Sequence, residues 1–155
     1  MSPTPEAPTP PPGIRPLHLR PALIWLVILG GTLGTATREA VSLSVGAVGS
    51  FPLAIFLINV VGAGALGILL EMLAHEAPGA TGPRNARLLA GTGFLGGFTT
   101  YSALATDTDL LFRAGDVGTG ILYAAGTLIV GFLTAGAGVA LGGALRRRRA
   151  RAGNA

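Results

Sequence analysis

Four long apolar stretches, about residues 22–44, 51–74, 86–112 and 117–145, follow one another with only "GAVGS", "HEAPGATGPRN" and "RAGD" between them. A helix needs ~20 mostly apolar residues to cross the hydrocarbon core of a bilayer, and each stretch is that long. Half of the 155 residues are hydrophobic and 12% are charged, about half the charged share of a soluble domain. The pattern therefore predicts an all-α membrane protein with four transmembrane helices over residues 22–145 and both termini on one side. The 25 glycines suit that setting, because in lipid small residues let helix backbones approach closely.

The flanks are of a different character. Residues 1–21 hold eight of the eleven prolines and few apolar side chains, as in a disordered or polyproline-like tail. Arg15 and Arg20 before an apolar run resemble the start of a signal peptide, but three more apolar stretches follow and no convincing small-x-small cleavage site accompanies it. Residues 146–155 form a basic C-terminal tail with five arginines in "RRRRAR". All eleven basic residues are arginine. They are not interleaved with aromatics as in a nucleic-acid surface, so membrane lipid with anionic headgroups is the expected partner and nucleic acid is not. Nine of the eleven lie on the side of the termini, with only Arg38 and Arg113 on the other. Arginine in short flanking segments stays in the cytoplasm, so a plasma-membrane protein with both termini cytoplasmic is expected.

The third stretch is the unusual one. "GTGFLGGFTTYSAL" (91–104) crowds Gly93, Gly96, Gly97, Thr99, Thr100 and Ser102 into a run that hydropathy alone reads as a spanning helix. Glycines and hydroxyls at this density predict a break in the helix. Backbone freed at membrane depth must be buried in protein or line a wet path. Freed carbonyls suit a small hard cation, and a half-helix N-terminus suits an anion. A glycine packing face with threonines bonded back to their own helix is the plainer alternative. Asn59, near the middle of the second stretch, is either an interhelical hydrogen-bonding residue or an anion contact through its NH₂. Tyr123, Thr127 and Thr134 share one helix face, a sparse polar track. Arg38, Glu39, Glu71, Asp107 and Asp109 stand toward the ends of the stretches and read as interfacial anchors. With no cysteine, two histidines and no nucleophile–base pair, metal-ligand cluster or phosphate loop, the sequence does not read as an enzyme.

"GGTLGTATR" (30–38), "NVVGAGALG" (59–67) and "GFLGGFTTYSAL" (93–104) together resemble the Fluc, or CrcB, family of fluoride channels, across all four stretches and in order. The resemblance implies small four-span subunits with a broken third helix. They pair antiparallel, as in dual-topology dimers, around two fluoride pores and a central structural sodium ion (Na⁺). By position it implies sodium ligands at the backbone carbonyls of Gly96 and Thr99, and pore positions at Asn59, Tyr101, Ser102, Leu104, Tyr123 and Thr127. A vestibule arginine falls on Arg38. Three positions depart from the family pattern: Tyr101 adds a hydroxyl to a ring, Leu104 has no ring, and Gly131 has no hydroxyl where the track would continue. The function implied is passive export of cytoplasmic fluoride, which reduces its toxicity. One alternative is a proton-coupled exporter of the small multidrug type, which wants a carboxylate deep in the first span; Glu39 and Glu71 lie outside such a position. A non-transporting assembly subunit is the other, and it leaves the helix break unexplained. The arginine bias favours one orientation, so an antiparallel dimer would need an oppositely oriented homologous subunit; dual insertion into a homodimer is the competing arrangement.

Overall fold

The computed structural model describes residues 20–74 and 80–152. The expected Pro-rich tail lies outside these residues except for Arg20 and Pro21. Pro21 opens α1 (Pro21–Ser44), at a position where its fixed φ is already helical and its missing N–H costs nothing. There follow α2 (Leu53–Leu73), α3 (Thr81–Ala86), a π-helical stretch Arg87–Leu95, α4 (Gly96–Phe98), α5 (Tyr101–Arg113) and α6 (Val117–Ala152). Among the described residues the extended pairing is confined to one isolated bridge, Val48 with Phe51.

Three helices, α1, α2 and α6, are each long and apolar enough to cross a membrane. The stretch expected at 86–112 is instead divided among the π-helical stretch, α4 and α5. From α3 into α4 the backbone stays in the right-handed helical region at each junction, and the Gly96 N–H donates to the Gly91 carbonyl five residues back. That wider turn lets nine residues, Arg87–Leu95, stay helical with an altered side-chain register.

The helices pack as two close pairs through small residues. A methyl group at Gly34 of α1 would collide with the Phe94 carbonyl, and one at Gly30 with the Leu89 carbonyl. In the other pair, a methyl at Gly138 of α6 would meet the Gly64 carbonyl of α2. Backbone-to-backbone approach of this kind is how helices associate where lipid offers no hydrophobic driving force. Leu104, Leu111 and Tyr123 form a buried cluster between α5 and α6, closed by Phe51, Ile55 and Phe56. Large apolar side chains such as Trp25, Leu43 and Phe132 stay exposed, and only 11–17% of the spanning windows is buried. A surface that apolar belongs in lipid.

The short connection after α5 is fully hydrogen-bonded. Gly115 takes φ +80°, its N–H donates to the Phe112 carbonyl, and the Asp116 N–H donates to the Leu111 carbonyl. These two bonds close the C-terminus in a Schellman turn that requires glycine. Asp116 then caps α6: its carboxylate accepts from the Thr119 N–H at 3.3 Å and from the hydroxyl of Ser50, in the connection between α1 and α2. These bonds hold the Asp116 carboxyl below its usual range, the Ser50 contribution being the larger.

The basic tail is helical over its described length. α6 does not stop at Leu145 but stays helical through Arg146–Ala152, so most of the expected tail continues the last helix. Arginine is a good helix former, and cations are favoured in a helix's last turns by the macrodipole. Arg146 also reaches Glu71 of α2 at 3.3 Å.

Candidate functional site

Between α4 and α5 the helical backbone is interrupted. Thr99 (φ −76°, ψ 155°) and Thr100 (φ −150°, ψ 120°) are both extended. Thr100 starts α5 as its N-cap, its hydroxyl accepting the Ala103 N–H at 3.2 Å. Thr99 remains tied to the preceding turn, since both its N–H and its hydroxyl donate to the Leu95 carbonyl at 2.9 Å.

Asn59 of α2 completes the interruption. Its Oδ1 accepts the Thr100 N–H at 2.8 Å and its Nδ2 donates to the Thr100 carbonyl at 3.0 Å. The side-chain amide thus serves the buried Thr100 as a neighbouring strand would. The consequence falls on the four carbonyls of residues 96–99 that end the turn; that of Gly97 accepts the Thr35 hydroxyl at 3.5 Å. In a continuous helix Gly96 C=O would accept from Thr100 N–H, and Thr99 C=O from Ala103 N–H. The first donor goes to Asn59 and the second to the Thr100 hydroxyl, so both carbonyls lose their regular partners.

A cavity of about 420 Å³ opens at this point, lined by Asn59, Gly96, Thr99, Tyr101, Leu104 and Thr127 among others. Six positions singled out in the sequence are therefore brought together. The lining is mostly apolar. Asn59 keeps one amide hydrogen beyond the one given to Thr100. Tyr101 is 79% exposed, leaving its ring free to meet whatever enters. The Thr127 hydroxyl donates to the Tyr123 carbonyl at 2.6 Å, so it turns a lone pair rather than its proton to the cavity. Leu104 is buried against Tyr123 and Leu111 and adds only aliphatic surface.

Three other positions do not line the cavity. Ser102 sits at its edge, with its hydroxyl 3.1 Å from that of Thr100. Arg38 stands on α1, half-buried and outside the lining. Tyr123 is fully buried: its hydroxyl donates to Asp107 at 3.1 Å and its ring stands edge-on to Phe51 at 5.5 Å. Thr134 bonds across to the Val60 carbonyl at 3.1 Å, joining α6 to α2.

Two of the carboxylates read as span-end anchors have partners on α6, Asp107 the Tyr123 hydroxyl and Glu71 the Arg146 guanidinium. Asp107 follows Thr100 and Leu104 at helical spacing and precedes Leu111 by four, so it shares the buried face of α5; that periodicity was the available signal. Glu71 follows Gly64 and Gly67 on the small-residue face of α2, and Gly142 and Gly143 of α6 lie against its side chain. Among the described residues no three carboxylate or imidazole groups converge as a metal site.

The profile of the family described as "CrcB-like protein, Camphor Resistance (CrcB)" matches residues 25–139. "Fluoride-specific ion channel FluC 2" of Leifsonia xyli is 51% identical over 134 residues, covering 86% of this chain and 92% of that protein. "Fluoride-specific ion channel FluC 1" of Cutibacterium acnes is 41% identical over 120 residues, 77% of this chain and 84% of that one. A "Fluoride-specific ion channel FluC" of Thermus thermophilus is 40% identical over 122 residues, 77% and 93% of the two chains. The matched region runs from α1 nearly to the end of the apolar part of α6 and includes every cavity residue named above, so this chain belongs to the CrcB family.

Proposed function

We propose that the chain is a subunit of a passive, fluoride-specific channel in the cell membrane rather than an enzyme. The observation that carries this reading is the cavity at the Thr99–Thr100 interruption, which joins one donor amide, an exposed aromatic ring and otherwise apolar walls. A small anion there can exchange water for the Asn59 N–H and the positive edge of the Tyr101 ring. The names of the relatives agree with it. The segment from Arg87 to Arg113 makes the fourth crossing, broken at Thr99–Thr100, where its irregular backbone faces protein rather than lipid. Inside-negative voltage drives fluoride outward, so no energy source is needed.

Two of the carbonyls without helical donors, those of Gly96 and Thr99, fit a sodium ion, which takes unwound backbone oxygens as ligands. Two subunits meeting at this point would supply four such oxygens, and the ion would hold the assembly rather than move. The subunits pair antiparallel, and the arginine bias favours a second, oppositely oriented homologue over two copies of this chain. Both termini then lie in the cytoplasm.

The full chain, reconstituted in liposomes with any subunit that co-purifies, should release fluoride under a potassium diffusion potential without ATP and retain chloride. Equal passage of chloride would defeat the reading.

A further inference from the structure

The cavity has a second aromatic wall. Phe132 of α6 lines it beside Gly131, one turn beyond Thr127 and Leu128. The spacing Thr127, Leu128, Gly131, Phe132 is one stripe of a helix, so all four meet the same space. Phe132 is 80% exposed, and apart from its chain neighbours and its own helix backbone nothing lies within 4 Å of the point where a side chain at Gly131 would begin. The space beside the ring is open. Tyr101, 79% exposed, borders the cavity from α5. The polar lining lies deeper: Thr100 and Thr127 are buried and Asn59 half-buried. The two exposed rings thus border the same cavity as the less exposed Asn59 amide.

Exposure alone would make Phe132 a lipid-facing side chain, as Ile129 and Leu133 on the same helix are. Those two do not line the cavity, and Phe132 does. We infer that Phe132 is a specificity-determining residue of the anion path, a ring at the cavity mouth that acts with Tyr101 to admit a small anion and exclude a larger one. A ring edge is positive and compact, but it donates no hydrogen bond. Its positive edge can approach a small fluoride closely and offset part of its lost hydration, while its bulk leaves a larger chloride less room to pass. The inference rests on the fluoride reading above.

The test measures fluoride and chloride efflux on the same liposomes, with the full chain and any co-purifying subunit. Phe132→Leu keeps an apolar side chain and removes the ring. It should lower the fluoride-to-chloride ratio by about three- to tenfold, the effect of losing one aromatic contact. Phe132→Tyr should restore the ratio, and Ile129→Leu should leave it unchanged. If Phe132→Leu fails to assemble on gel filtration, Phe132→Met replaces it with the same expectation. A wild-type ratio in the ring-less variant, with Tyr101→Leu impaired, overturns the inference and leaves the fluoride reading intact. A wild-type protein that passes no fluoride overturns both.

Discussion

Asn59 holds both peptide groups of Thr100, so its replacement acts on the backbone before it acts on any ion. Asn59→Leu leaves the N–H of a buried residue without a partner, at about 1–3 kcal/mol, and takes the second donor from its carbonyl. Fluoride efflux should fall by more than about tenfold, with a lower thermal midpoint, a loss of the size expected for orphaned buried groups. Asn59→Asp can still accept from the Thr100 N–H, but it sets a negative charge on the cavity wall. It should block efflux as fully while unfolding closer to wild type. Normal efflux and stability in both would reduce the paired bonds to incidental contacts. Tyr101→Ile separates chemistry from folding, because a ring this exposed is not part of the core; efflux should drop while stability changes by less than about 0.5 kcal/mol. Asp116 supplies the pH test. Its carboxyl is held below the usual range by Ser50 and Thr119. The stabilisation is therefore complete above the ordinary carboxylate value of about 4 and is lost as pH falls through the depressed folded value. Asp116→Asn should flatten the acid limb of an unfolding curve followed through Trp25, the single tryptophan. An unchanged acid limb would assign that limb to other carboxylates.

At the scale of elements, the two close helix pairs rest on positions where a side chain has no room. Gly34→Leu and Gly138→Leu each drive a side chain into a facing carbonyl, and overpacking of this kind costs about 1–3 kcal/mol or more. Both variants should lose the folded species on gel filtration, whereas Gly126→Ala, where no atom lies within 4 Å of an added Cβ, should be tolerated. The apolar runs and the glycine-dense third stretch were legible in the sequence because run length and local composition are local properties. The gathering of Asn59, Gly96, Thr99, Tyr101, Leu104 and Thr127 was legible only through the resemblance, since they come from four separate elements. Three features were not read. The π-helical register of Arg87–Leu95 depends on packing against α1. The partners of Asp107 and Glu71, Tyr123 and Arg146, come from a separate helix and have no local signal. The end of α6 was placed where hydropathy falls, yet arginines carry a helix as well as leucines do.

For the whole molecule, nine arginines on the side of the termini argue for one orientation. C-terminal reporter fusions should give a cytoplasmic signal alone. Equal cytoplasmic and periplasmic signals, with efflux from the purified chain by itself, would show that it inserts both ways and needs no homologue. Sodium removal should end fluoride efflux with no sodium flux detectable in its presence; a sodium current of similar size would contradict a structural ion. The Asn59–Thr100 bonds also bear on biosynthesis. The interruption at Thr99–Thr100 is not encoded in residues 91–104 alone, because a side chain 41 positions earlier takes the hydrogen bond that would close the turn. When that segment leaves the ribosome, α2 has already been made. The nascent stretch can therefore enter the bilayer as an ordinary helix and open once α2 docks, which would keep its unpaired backbone groups away from lipid during synthesis.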